Sequence, residues 1–158
     1  MIIKVNAKTQ QLILLENEVP LKHYTIATSS RGLGEERGSQ MTPRGWHQIR
    51  AKIGQGTPIN TVFIKRRPTG ELYSKEIAQQ FPDRDWILTR ILWLSGLEKG
   101  LNRFGKVDTM RRYIYIHGCP DHCPLGVPLS HGCIRMNNQD IIELFELVPV
   151  QTRVLITA

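Results

Sequence analysis

No apolar run in this sequence is longer than four residues: Leu12-Ile13-Leu14-Leu15 and Ile91-Leu92-Trp93-Leu94 reach that length, against about 20 for a helix that crosses a bilayer. A membrane-spanning helix is excluded. An export signal is also missing from view, since it needs a basic stretch followed by about 7–15 apolar residues. Met1 to Gln11 instead interleaves Lys4, Asn6, Lys8 and Gln10 with Ile2, Ile3 and Val5. The expectation is a cytoplasmic protein, or a periplasmic one if a leader has been removed ahead of Met1. Internal repeats, low-complexity tracts and βαβ alternation are absent as well, which removes solenoids, disordered tails and doubly wound folds. Cysteine is scarce, with three in 158 residues, and an odd count argues against a disulfide framework.

What is present suits an ordinary globular chain: 41% hydrophobic and 22% charged residues allow a packed core within the length of one domain, 1–158. Lys plus Arg exceeds Asp plus Glu, 21 against 14. That basic excess is dispersed, its longest run being Lys65-Arg66-Arg67, and no zinc-finger or RNA-binding signature accompanies it. The charge therefore points to carboxylate-rich small partners rather than to nucleic acid or a membrane. A monomer is expected.

Two strands, Ile2 to Val5 and Leu12 to Leu15, joined by a polar turn, read as an opening hairpin. Further strands are expected at Lys22 to Thr28, Trp46 to Ile53, Thr61 to Lys65, Trp86 to Leu94, Arg112 to His117 and Arg153 to Ile156, with a loop from Ser95 to Asp108. Ser74 to Phe81 reads as a short helix capped by Ser74 and stopped by Pro82. Asn137 to Asp140 precedes Ile141, Ile142, Leu144, Phe145, Leu147 and Val148, the pattern of a capped amphipathic helix ended by Pro149. The sum is a mainly β fold with mixed pairing, with Trp46, Trp86 and Trp93 read as core.

Every cysteine and three of the five histidines fall between His117 and Cys133. Two chemistries fit. In one, Cys133 is a nucleophile: it follows Gly132 and lies near the start of the helix at Asn138, whose positive end would favour thiolate. Amides around Gly132 and Cys133 would form an oxyanion hole. His117, at a strand end, would be the general base, with its ring held by a backbone carbonyl. In the other, Cys119, Cys123 and Cys133 are zinc ligands together with histidines, although the spacings are not those of a common finger or ribbon. Spacing alone leaves both open.

The run Ser130-His131-Gly132-Cys133 with His117 upstream resembles the signature of the L,D-transpeptidase catalytic domain, also called the YkuD domain. Gly38, Thr42-Pro43-Arg44-Gly45, Tyr113-Ile114-Tyr115-Ile116-His117-Gly118, and Cys133-Ile134-Arg135-Met136 followed by Asn138 and Asp140 all stand in the expected order. The resemblance implies mixed β-sheets in a sandwich, one C-terminal helix after the cysteine and short additional helices. It implies that Cys133 attacks the bond after the L-centre of a diamino acid in a peptidoglycan tetrapeptide stem and releases the terminal D-Ala. His117 would activate Cys133 and protonate the departing amine, with the Gly118 carbonyl orienting its ring. His131, Gly132 and Cys133 would shape the oxyanion pocket, with no cofactor and no metal.

Two positions depart from the family pattern. Arg135 stands where Asn is frequent, which makes it, together with Ser130, a candidate for substrate binding through a bidentate carboxylate contact. Cys119 stands where Thr often follows His-Gly. Arg111 and Arg112 are further candidates for attracting an acidic stem. Asp108-Thr109 and Arg111 to Gly118 also resemble small, signal-less members that look like cytoplasmic L,D-carboxypeptidases of peptidoglycan recycling. Hydrolysis is therefore the favoured outcome, with cross-linking or exchange by an amine as the alternative.

Overall fold

Alternating apolar residues open the chain, and in the computed structural model, which describes all 158 residues, they make the expected hairpin. β1 (Ile2–Asn6) pairs antiparallel with β2 (Gln11–Glu16), setting Ile3 against Leu14 and Val5 against Leu12. All four side chains are buried. The Asn6 side-chain oxygen accepts from the Lys8 and Thr9 amides at 2.9 and 3.0 Å and so closes the turn.

The remaining elements are β3 (Val19–Ala27), β4 (Gly45–Ile53), β5 (Thr61–Ile64), β6 (Arg67–Leu72), α1 (Lys75–Gln80), β7 (Ile87–Gly96), β8 (Tyr115–Gly118), β9 (Ile134–Met136), α2 (Asn138–Leu147) and β10 (Arg153–Thr157), with a 3-10 turn at Gly105–Val107. The fold is mainly β, as expected. Its ten strands lie in one sheet, ordered β4-β10-β1-β2-β3-β9-β8-β7-β5-β6, and a further β4–β7 pairing joins that sheet to itself. The mixed β-sheet architecture is the one expected, and its strands from β4 round to β7 form a closed, barrel-like circuit that hides their edges, with β5 and β6 extending it beyond β7. Pairing is mixed: β1 with β10 and β8 with β9 are parallel, and the other pairs are antiparallel.

β7 is the switching strand. Ile87 and Leu88 pair with β5, whereas Ile91 to Gly96 pair with β4. Between them Thr89 and Arg90 bulge out of the ladder opposite Gly118 and His117, and Thr89 takes a φ of 76°, which is costly for a β-branched residue. Its hydroxyl is fixed, accepting from the Asn60 amide at 3.0 Å and donating to the Asn138 side chain at 2.6 Å.

α2 follows the expected boundaries because Asn137 caps it, accepting from the Gln139 and Asp140 amides at 2.8 and 3.4 Å. Ile141, Leu144 and Phe145 are fully buried in the main core with Ile26, Leu92 and Ile116. Three readings are corrected. The strand expected from Arg112 begins only at Tyr115, because the Arg112 amide bonds back to the Asp108 and Thr109 carbonyls and Tyr113 takes a φ of 57°. β6 was not expected, since its six residues are all exposed. None of the three tryptophans is fully buried.

Candidate active site

The parallel register of β8 and β9 sets His117 beside Arg135 and Ile116 beside Ile134. Cys133, one residue ahead of β9, therefore emerges level with Tyr115. The Tyr115 amide donates to the Cys133 sulfur at 3.3 Å, and the thiol lies 3.5 Å from the Tyr113 carbonyl. The half-buried Cys133 opens into a groove of about 560 Å³ lined by Lys65, Arg66, Asp85, Arg112, Tyr113 and His131, among others.

His117 is fully buried. Its Nδ1 donates to the Gly118 carbonyl at 2.7 Å, as the bulge in β7 interrupts the ladder at this point. That bond fixes the tautomer and leaves Nε2 as a lone pair, buried and without a partner. Burial holds the ring below the usual histidine range, against the opposing pull of Asp85 and the Gly118 carbonyl. Gly118 has no room for a side chain: a Cβ there would collide with the Asn138 side-chain oxygen and stand 2.7 Å from the Leu88 carbonyl.

Burial also pushes the Cys133 thiol up to about 12, against the Tyr115 amide. The thiolate expected from the helix end is thus not the resting form. The first free amides of α2 are already capped by Asn137, and β9 separates Cys133 from the helix. The resting pair is a neutral thiol and a neutral imidazole.

Ser130, expected to touch substrate, is buried instead. Its hydroxyl donates to the Cys133 carbonyl and accepts from the Gly132 amide at 3.2 Å, so it shapes the loop that presents the cysteine. The Gly132 amide is consequently engaged within the loop. Gly132 takes a φ of 127°, a left-handed value suited to glycine, and its carbonyl accepts from the Thr42 hydroxyl at 2.9 Å. The Thr42-Pro43-Arg44-Gly45 segment thereby braces the cysteine loop.

His131 points outward, with 59% of its side chain exposed and Nδ1 3.5 Å from Asp85, so its ring pairs with an acid rather than lining an oxyanion pocket. Arg135, only 13% exposed, places Nη2 3.1 Å from Asp85 and Nη1 3.2 Å from the Leu129 carbonyl. The carboxylate on Arg135 is therefore internal. Burial works against the Asp85 charge, but His117, Arg135 and His131 together hold its carboxyl below the usual range. Sequence reasoning missed Asp85, which sits in an unremarkable loop ahead of β7; the signal was Arg135, since an arginine so deep in a site needs an acid.

Arg112 ties the site to the chain before β4, donating to Met41, Ser39 and Gly34 at 2.6, 3.3 and 3.3 Å. Arg111 is exposed. Cys119 and Cys123 lie on a second hollow of about 360 Å³, lined also by Arg135, that shares Asp85 and His131 with the groove. The three thiols do not converge, and no group of three His, Cys, Asp or Glu side chains is placed to hold a metal ion.

Known proteins resemble this chain in sequence and fold. A family model, the L,D-transpeptidase catalytic domain, matches residues 1–156. YqjB of Bacillus subtilis is 28% identical over 154 residues, 97% of this chain and 69% of its own length. YbiS of Escherichia coli K12 is 51% identical over 111 residues, 65% of this chain and 34% of its own length. Both carry L,D-transpeptidase names. The solved L,D-transpeptidase from Mycobacterium smegmatis aligns at a TM-score of 0.57 and 16% identity, over 99% of this chain and 58% of that one. L,D-transpeptidase 3 from Mycobacterium tuberculosis aligns at 0.60 and 13%, over 99% and 60%. The chain thus spans about a third of YbiS and under two thirds of these solved structures, which share its fold. With a family match running from the first strand to the last, the chain belongs to the L,D-transpeptidase catalytic domain, or YkuD, family.

Proposed function

We propose that this protein is a cysteine acyl-transfer enzyme that hydrolyses peptidoglycan tetrapeptide stems between the L-centre of the diamino acid and the terminal D-Ala. The observation that carries the reading is His117: buried, with its Nδ1 proton fixed on the Gly118 carbonyl and its Nε2 free, on the strand beside the Cys133 thiol. A base of this kind needs no standing thiolate. As Cys133 sulfur attacks the scissile carbonyl, its proton passes to His117 Nε2, and the imidazolium then protonates the departing D-Ala nitrogen. Asp85 supports that imidazolium, since its charge raises the His117 pKa. The thioester left on Cys133 is opened by water, which gives up a proton to His117, and tripeptide is released.

Water is favoured over an amine as acceptor because Asp108-Thr109 and the Arg111 to Gly118 run resemble small carboxypeptidase members. The cytoplasm, where recycled stems arrive as soluble fragments, is the compartment that fits. Incubation of purified protein with a diaminopimelate-containing tetrapeptide, followed by mass spectrometry, should give tripeptide and D-Ala. A product joined to an added amine, with no free tripeptide, overturns hydrolysis. Cys133→Ala should abolish turnover, and unchanged turnover would remove the nucleophile assignment.

A further inference from the structure

The three arginines that approach the groove differ in what their donors already hold. Arg135 is taken by Asp85 and the Leu129 carbonyl. Arg112 is taken by Gly34, Ser39 and Met41. Arg66 makes one hydrogen bond, from Nη1 to the Tyr115 hydroxyl at 2.9 Å, and no Asp or Glu oxygen lies within 4.0 Å of it. Its remaining N–H groups are unspent.

Arg66 is nonetheless held in place. Its guanidinium lies 4.9 Å from the centre of the Trp93 ring and 4.5 Å from that of Tyr113, and the two rings are 6.2 Å apart. Cation–π contact and the Tyr115 hydroxyl together fix a planar fork before any ligand arrives. The backbone contributes too. Ile64 pairs with Arg67 across a two-residue turn, and Lys65 and Arg66 both adopt left-handed φ values, 49° and 65°. Such turns favour Asn-Gly, so the hairpin tip holds an unfavourable conformation that carries two cations to the groove.

Tyr115 measures the site. Its amide touches the Cys133 sulfur at 3.3 Å and its hydroxyl touches Arg66 at 2.9 Å, so a single side chain bridges the thiol and a guanidinium with no acid partner, and all three line the same groove. In a stem peptide the terminal D-Ala carboxylate lies only two carbons beyond the scissile nitrogen. We infer that Arg66, assisted by Lys65 at the tip of the β5–β6 hairpin, is the receptor for the free C-terminal carboxylate of the substrate and so restricts cleavage to the last residue of the stem. This inference rests on the proposed function and names the group that would make that site an exopeptidase site.

The experiment compares a diaminopimelate tetrapeptide ending in D-alanine with the same peptide ending in D-alaninamide. Release of the terminal residue is followed, because that step precedes the choice of acceptor. The wild type should favour the acid roughly tenfold or more in kcat/KM, as a charge-assisted, two-pronged contact requires. Arg66→Gln should bring the acid-to-amide ratio close to one, and Arg66→Lys should restore part of it. A ratio unchanged in Arg66→Gln overturns the assignment. A loss that falls equally on both substrates also overturns it, since that marks a merely structural residue. Wild-type release of D-Ala without free tripeptide overturns hydrolysis alone and leaves the ratio readable, whereas no release from either peptide overturns the proposed function and this inference together.

Discussion

Cys123 and Cys133 carry the same side chain in opposite environments. Burial raises the Cys133 thiol, whereas the neighbouring Cys119 thiol, and Arg135 3.8 Å away, hold the Cys123 thiol below the ordinary range. Because alkylation follows the thiolate fraction, iodoacetamide at neutral pH should modify Cys123 of the free enzyme before Cys133, as peptide mass mapping would register; Cys133 reacting first would contradict the burial argument. Asp85 gives a second outcome. Asp85→Asn removes a charge that raises the His117 pKa, so the acidic limb of the kcat/KM profile should move to lower pH. It also leaves Arg135 short of its acid, and kcat should fall by roughly tenfold or more. A profile whose acidic limb stays in place would show that Asp85 does not act through His117. The Ser130 to Cys133 motif and His117 could be singled out in the sequence because together they resemble a family signature, where spacing alone left a zinc site open. Asp85 could not be, because a loop aspartate becomes part of a site only when the fold brings Arg135 and His131 to it.

At the scale of elements, the bulge in β7, the end of β8 and the N-terminus of α2 form one joint. Thr89, Gly118 and Asn138 meet there: the Thr89 hydroxyl donates to the Asn138 oxygen, and that oxygen lies where a Gly118 side chain would be. Asn138 in turn donates to Asn60 and Asp121 at 3.0 and 3.3 Å. Gly118→Ala should therefore lower stability by about 1–3 kcal/mol, in line with other overpacked sites. It should also slow turnover, since the carbonyl that orients His117 belongs to the displaced residue. Denaturant titration and steady-state rates together test this, and a variant as stable and active as the wild type would refute the tight joint. α2 was readable in advance because its cap and its apolar stripe are local signals. β6 was not: six exposed residues have no alternation to read, and the strand exists only because β5 offers it an edge. β9 is three residues long, too short for any pattern, and is held between β3 and β8.

At the scale of the whole molecule, acid should be the weak direction. His47 is fully buried, bonded through its two ring nitrogens to the Gly45 carbonyl and the Thr109 hydroxyl at 3.0 Å each. Burial lowers its pKa from 6.5 to about 4. The neutral ring stabilises the fold fully above 6.5, and as pH falls from there to about 4 the unfolded chain takes up the proton first. The linked loss amounts to up to about 3 kcal/mol, and His117, lowered in the same direction, adds to it. Thermal midpoints should drop across that window, and His47→Gln, whatever its own midpoint, should show a shallower slope; an equal slope would clear His47 of the role. The closed circuit of strands has a consequence of a different kind. β10 is hydrogen-bonded to β1 on one side and β4 on the other, so the first strand to be synthesised finds its second neighbour only in the last. The barrel therefore closes on its last strand: until Arg153–Thr157 are in place, β1 and β4 each present an open edge, and a chain synthesised only as far as α2 holds nine strands in an unclosed sheet.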